Sequence, residues 1–262
     1  MKIFVDTAKF SEIKAAVELG VCDGVTTNPS LIKAAMEELK MGMEDYIKDI
    51  CRIASGKPVS LEVISTNAEE MIKEAKLLHT RFNNIANNVV VKIPIATATE
   101  DVGSCDGITA ISALSDMGIK TNATLVMTPE QAFLAAKAGA TYVSPFAGRI
   151  DDYIRTNMDK KFDKGDYFPA EGLSNENDNG IVSGVDLVKK IADIYKNYGM
   201  KTEIIAASLR NPRQVREVAL AGAHIATIPF PVIIEMTKHP KTAEGIIKFS
   251  QDVVEEYKKI FT

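Results

Sequence analysis

The chain has 262 residues, 46% of them hydrophobic, and a formal net charge of −4, so it can bury a sizeable core but has no bulk charge to attract nucleic acid or an anionic membrane. No apolar run approaches the ~18 residues of a membrane span, and three scattered cysteines, Cys22, Cys51 and Cys105, with no CxxC spacing argue against a disulfide framework or zinc site. A reducing, cytoplasmic compartment is therefore expected.

The opening "MKIFVDTAKF" starts directly in a strand, with no signal peptide ahead of it. From there, short apolar runs recur at intervals of roughly 30 residues, the length of a strand–helix repeat. "KIFVDT" is followed by a helix ending at "VELG". "GVTTNP" leads into a helix with Pro29 at its first position. "VSLEVI" and the β-branched "NVVVKIPI" come next. "TNATLV" precedes "MTPEQAFLAA", where Thr128 and Pro129 mark a helix start, and "AKAGA" ends that helix. "TYVSPF" is the sixth strand. "EIIAAS" leads to "RNPRQVREVAL", started by Asn211 and Pro212 and ended by "ALAGA", and "HIATIP" is the eighth. Eight such units of uniform composition predict an α/β fold: a single (β/α)8 TIM barrel over residues 1–262, with an extra C-terminal helix.

One segment breaks the rhythm. Residues 157–180, "NMDKKFDKGDYFPAEGLSNENDNG", form a polar insertion after the sixth strand with no convincing period. A solvated insertion and an active-site lid are both open readings, since long loops on the reactive face of a barrel are often functional.

Catalytic groups in such barrels sit at the C-terminal ends of the strands. The polar residues there are Asp6, Asn28, Glu62, Lys92, Asn122 with Thr124, Ser144 with Phe146, Ser208, and Thr227. Each has a plain alternative. Asn28 ahead of Pro29 suits a helix N-cap, Thr124 and Ser144 suit core hydroxyls, and Lys92 with Glu62 suits a structural ion pair. Such a pair contributes little net stability, because desolvation cancels much of the attraction. The set together is harder to explain without chemistry. In a water-poor site the ammonium form of a lysine is disfavoured and a neutral amine becomes available. A neutral amine attacks a ketone to form a Schiff base, an electron sink that lets a neighbouring carbon–carbon bond break. Asp6 suits removal of the hydroxyl proton on the departing carbon; Glu62 with Thr124 suits water loss and return. Metal and cofactor are not required, and His79, His224 and His239 show no ligand spacing. Arg149, Ser208 and Arg210, with the helix start at Asn211–Pro212, are expected to make a phosphate site on the same face, the plain alternative for the arginines being surface i,i+4 pairs.

The motifs "FVDTA", "GVTTNPSLI", "SLEVIS", "VVVKIPI", "TNATLV", "YVSPFAGRID" and "AASLRNPRQV", in that order from residue 4 to 215, resemble the transaldolase family, in particular its short branch related to fructose-6-phosphate aldolase. The resemblance implies Lys92 as the Schiff-base lysine, Asp6 as the acid/base, and Glu62 and Thr124 around a catalytic water. It also implies Asn28, Asn122 and Ser144 as binders of a dihydroxyacetone unit, and Arg149, Ser208 and Arg210 as binders of sugar phosphate. Transaldolases tend to carry Glu and Phe at positions 62 and 146, the aldolases Gln and Tyr, so Glu62 and Phe146 favour transfer over release of free dihydroxyacetone. A non-catalytic sugar-phosphate binding barrel is a third reading, which the intact Lys92, Asp6 and Glu62 oppose. Short members are homo-oligomers, with decamers among them, and here "TAEGIIKFSQDVVEEYKKIF" is the segment to reach a neighbour. The 157–180 insertion and a long "TATEDVGSCDG" depart from the short forms.

Overall fold

The computed structural model describes residues 1–36, 41–96 and 104–261. Its strands are β1 (Lys2–Asp6), β2 (Gly24–Thr26), β3 (Val59–Glu62), β4 (Val89–Pro94), β5 (Thr121–Val126), β6 (Tyr142–Pro145), β7 (Glu203–Ala206) and β8 (Ile225–Ile228). They run parallel and close in chain order into one barrel, β8 pairing back onto β1. Among the described residues the helices around it are α1 (Phe10–Glu18), α2 (Pro29–Met36), α3 (Met43–Ile53), α4 (Ala68–Ala86), α5 (Asp106–Asp116), α6 (Pro129–Lys137), α7 (Ala147–Asn157), α8 (Gly184–Asn197) and α9 (Pro212–Leu220). The chain ends in α10 (Phe230–Glu235), α11 (Pro240–Gln251) and α12 (Glu255–Lys258), where the sequence suggested one extra helix; Pro240 restarts the chain as a helix behind His239, whose ring caps it.

The sequence punctuation works as expected. Pro29, Pro129 and Pro212 each occupy the first position of a helix, where their missing N–H is not needed. Thr128 and Gln131 form a reciprocal capping box. Gly139 and Gly222 take positive φ as α6 and α9 end.

The barrel has two cores. The larger lies between the strands and the helices, where Val89, Val91 and Ile93 of β4 point. The smaller lies inside the barrel: Phe4, Val90, Tyr142, Ile205 and Ile225. Successive side chains on a strand alternate faces, so the residues two positions on, Asp6, Lys92, Ser144, Ala207 and Thr227, also point inward, one layer higher. The five apolar side chains are thus the floor beneath a polar layer. Gly24 makes room for that floor, since a Cβ there would lie 2.5 Å from the Phe4 ring.

The polar insertion begins where α7 ends and is held around a buried arginine. Arg155 is 3% exposed. Its guanidinium lies 4.8 Å from the Phe162 ring centre and 5.1 Å from that of Phe168, which is fully buried, and it donates to the Asp166 carbonyl at 2.8 Å. Tyr167 donates to Glu217 on α9 and lies under the Arg213 guanidinium. The segment therefore packs on α7 and α9. Of "TATEDVGSCDG", residues 97–103 lie outside the described residues.

Helices α11 and α12 bury nothing. Ile246, Ile247, Phe249, Val254, Ile260 and Phe261 are all exposed, Phe249 at 72% and Phe261 at 74%. Among the described residues no helix is long and apolar enough to cross a membrane.

Candidate active site

Strand register assembles the predicted residues. Glu62, Lys92 and Asn122 stand in one row across β3, β4 and β5, and Thr124 is paired with Pro94 one step above. Asp6 is in register with Thr26. The result is a cavity of about 150 Å3 at the strand ends, lined by Asp6, Thr26, Asn28, Lys92, Ser144, Phe146, Arg149, Ala207, Ser208 and Thr227. Eight of the twelve residues singled out from the sequence line it directly, Thr227 among them.

Lys92 is only 5% exposed. Its Nζ lies 3.1 Å from Glu62 Oε2 and donates to the Thr27 carbonyl at 3.1 Å. The ion pair considered from sequence is thus present, and it places a carboxylate against the amine. Glu62 stands between Lys92 and an open, mostly apolar hollow lined by Pro29, Ile32, Lys33, Met36, Met43 and Ile64. Opposite, Asp6 accepts from the Thr26 hydroxyl at 2.7 Å. Burial pushes the Asp6 carboxyl above the ordinary carboxylate range, against the lowering effects of that hydroxyl and of the Lys92 charge. A carboxyl so shifted is better matched to passing a proton in both directions near neutrality.

The remaining polar groups form a chain along the wall. Ser144 Oγ donates to Asn122 Oδ1 at 2.8 Å, and Asn122 Nδ2 donates to Ser60 Oγ at 3.4 Å. Thr124 Oγ1 is buried with no hydrogen-bond partner among the described residues. A buried hydroxyl in that state calls for a further partner, which a water or a substrate hydroxyl can supply. Next to it, Leu125 has φ of 57° and the β5–β6 register shifts between Ala123 and Val126. Asn28 acts as the helix cap, its Oδ1 accepting from Leu31 N at 2.9 Å, and it also lines the cavity.

The basic side is divided. Arg149 is exposed at the rim, its guanidinium 4.9 Å from the Phe146 ring centre. Ser208 lines the cavity with φ of 62°, a left-handed conformation that a serine rarely adopts. Arg210 does not line the cavity; both its terminal nitrogens are held by Asp152. Sequence reasoning missed Asp152, Thr26, Ser60 and the Thr27 carbonyl. The period of two was a usable signal for Ser60, two residues before Glu62, whereas Asp152 on a helix carried none.

A family model described as "Transaldolase/Fructose-6-phosphate aldolase" matches residues 3–261. A protein of Prosthecochloris aestuarii named "Probable transaldolase" is 48% identical over 256 residues, covering 96% of this chain and 97% of its own. One of Clostridium botulinum with the same name is 45% identical over 261 residues, covering 100% and 98%. A "Probable transaldolase 1" of Bacillus cereus is 46% identical over 254 residues, covering 96% and 97%. Among solved structures, a Pediococcus acidilactici protein titled "(Putative)lactate oxidase" superposes with a TM-score of 0.51 at 13% identity, over 88% of this chain and 63% of that one, a likeness of fold alone.

Proposed function

Since this chain belongs to the transaldolase/fructose-6-phosphate aldolase family, we propose that it is a transaldolase. It moves a dihydroxyacetone unit from a ketose phosphate (sedoheptulose 7-phosphate or fructose 6-phosphate) to an aldose phosphate (glyceraldehyde 3-phosphate or erythrose 4-phosphate). That is the chemistry of the pentose phosphate pathway. The observation that carries the reading is the buried Lys92, paired with Glu62 and facing Asp6 across one cavity.

In this reading Lys92, after giving up a proton, attacks the donor's ketone carbon, and loss of water leaves an iminium. Asp6 takes the proton from the hydroxyl two carbons away as the carbon–carbon bond between them breaks. The bonding electrons flow into the iminium and leave an enamine, while the shortened aldose departs. An incoming aldose then accepts the enamine carbon, Asp6 returns the proton to its new hydroxyl, and water releases the product from Lys92. Glu62 and a water on Thr124 handle the proton and water transfers at the imine. Asn28, Asn122 and Ser144 hold the hydroxyls of the three-carbon unit. Arg149, Ser208 and Arg210 hold the phosphate of donor and acceptor.

Borohydride with fructose 6-phosphate tests the covalent step: it should inactivate the protein and leave a three-carbon adduct on Lys92. An adduct on another lysine would refute the assignment. Product analysis with and without erythrose 4-phosphate separates transfer from release of dihydroxyacetone. Transfer should be much faster than unassisted cleavage; equal rates would favour the aldolase. The working form is a cytoplasmic homo-oligomer, a decamer by resemblance, in which the exposed apolar side chains of α11 and α12 are covered by a neighbour. A monomer in light scattering at assay concentration would refute that assembly.

A further inference from the structure

We infer that Asp152, together with the backbone carbonyl of Lys164, positions Arg210 for phosphate, and that the 158–183 segment is thereby a working part of the phosphate site; this rests on the reading of Arg210 as a phosphate group. Arg210 Nη1 donates to Asp152 Oδ1 at 2.5 Å and Nη2 donates to Oδ2 at 2.5 Å, a two-pronged pairing of guanidinium with carboxylate. Nη1 donates again to the Lys164 carbonyl at 3.2 Å. A guanidinium has five N–H donors. Three are committed to the protein, so among the described residues those left are one on Nε and one on Nη2. These two lie on the same edge of the fork and point the same way. A parallel pair of donors is the arrangement that grips two oxygens of one phosphate.

Position agrees with this. A Cβ built on Gly148 would lie 3.1 Å from Ser208 Oγ and 3.2 Å from Arg210 Cζ, so the serine hydroxyl that lines the cavity and the guanidinium flank the same point. An unattached arginine side chain loses rotamer freedom when it grips a ligand, and one already held in place loses less. A carboxylate beside a phosphate site also costs attraction, which a purely electrostatic design would avoid. The bidentate geometry accounts for its presence as orientation.

The second support comes from the insertion. Arg155 donates to the carbonyls of Asp166 and Asp163, at 2.8 and 3.5 Å, and fixes the turn between them. That turn carries Lys164, and Asn211 Nδ2 donates to the neighbouring Gly165 carbonyl at 3.4 Å. The buried arginine thus sets a turn, and the turn sets the side chain that meets phosphate.

The test compares wild type with Asp152→Asn, Asp152→Ala, Arg210→Ala and the Asp152→Ala/Arg210→Ala double variant. For the Asp152 variants we expect KM for fructose 6-phosphate to rise on the order of tenfold. The loss falls mainly on KM, and unphosphorylated fructose is affected much less. The dissociation constant for inorganic phosphate, measured by titration calorimetry, rises in parallel. In the double variant, losing Asp152 adds nothing to losing Arg210. Tighter phosphate binding in Asp152→Ala would make Asp152 a competitor of phosphate and overturn the inference, as would equal losses on both sugars or additive losses in the double variant. Where Asp152→Ala folds poorly, Asp152→Asn keeps the shape and decides on its own. Wild type that binds inorganic phosphate through Arg210 and Asp152 but does not turn over fructose 6-phosphate would refute the transaldolase reading and leave this inference standing. Normal turnover with phosphate binding indifferent to Asp152 would do the reverse.

Discussion

Gly148→Ala is the smallest change that tests how tightly the proposed phosphate side is built. The added Cβ would lie 2.2 Å from the Ser208 carbonyl oxygen, whereas ordinary contact begins at 3.4 Å, so something must move by about 1.2 Å (3.4 minus 2.2). The obstacle is backbone, not the end of a flexible side chain, and it belongs to a residue already at φ of 62°. Alanine favours a helix over glycine by about 1 kcal/mol, but overpacking of this kind costs about 1–3 kcal/mol. The clash wins, and a net loss near 1 kcal/mol should lower Tm by about 2–4 °C. Binding suffers more, because a displacement of about 1 Å in a positioning group costs up to ~100-fold. The assay is KM for fructose 6-phosphate beside borohydride trapping with unphosphorylated dihydroxyacetone. KM should rise at least tenfold, while the Lys92 adduct still forms. A variant with unchanged KM and Tm would show that the Ser208 loop yields freely and would refute the reasoning.

Arg210→Ala should raise KM for phosphorylated donors by roughly 1.5–3 kcal/mol of lost binding and spare unphosphorylated ones; equal losses would remove Arg210 from the phosphate site. Phe146→Tyr should increase release of free dihydroxyacetone relative to transfer, because the new hydroxyl can hold a water or proton near the enamine; an unchanged product ratio would refute that account. Asp151 predicts a pH effect. Burial pushes its carboxyl from 3.8 up to about 6, although Gly184 N, Gln214 and two arginines pull the other way. The folded state then keeps a proton that the unfolded state has lost, so stability falls as pH rises from 3.8 to about 6, by about 3 kcal/mol at most. Asp151→Asn should flatten that slope in denaturant titrations from pH 4 to 7; a slope identical to wild type would reassign it.

The barrel was legible because β-branched runs recur through the chain and, at several repeats, Pro, Asn or Thr helix starts and glycine stops agree with them. Lys92 stood out for the same reason, as a charge where the pattern demanded a valine. What escaped were contacts between distant elements. Asp152 and Arg210 are 58 residues apart, and nothing in "GRIDDYIRTN" distinguishes the aspartate that faces an arginine from its neighbour Asp151, which accepts from Gly184 N. The insertion was opaque for a related reason. Its composition is that of a solvated loop, but Phe162 and Phe168 close on Arg155 from further along the chain, and one buried cation organises carbonyls that no periodicity reports.

The apolar floor of Phe4, Val90, Tyr142, Ile205 and Ile225 makes the barrel a blind well. With the bottom stopped, everything that reaches Lys92 enters and leaves by the same mouth. In the proposed mechanism the aldose cut from the donor must clear that mouth before the acceptor can approach the enamine, so no ternary complex of donor and acceptor should form. Double-reciprocal plots at several acceptor concentrations should therefore run parallel. Excess acceptor should occupy the free well and compete with the donor, so that too much of the second substrate slows the first half of the cycle.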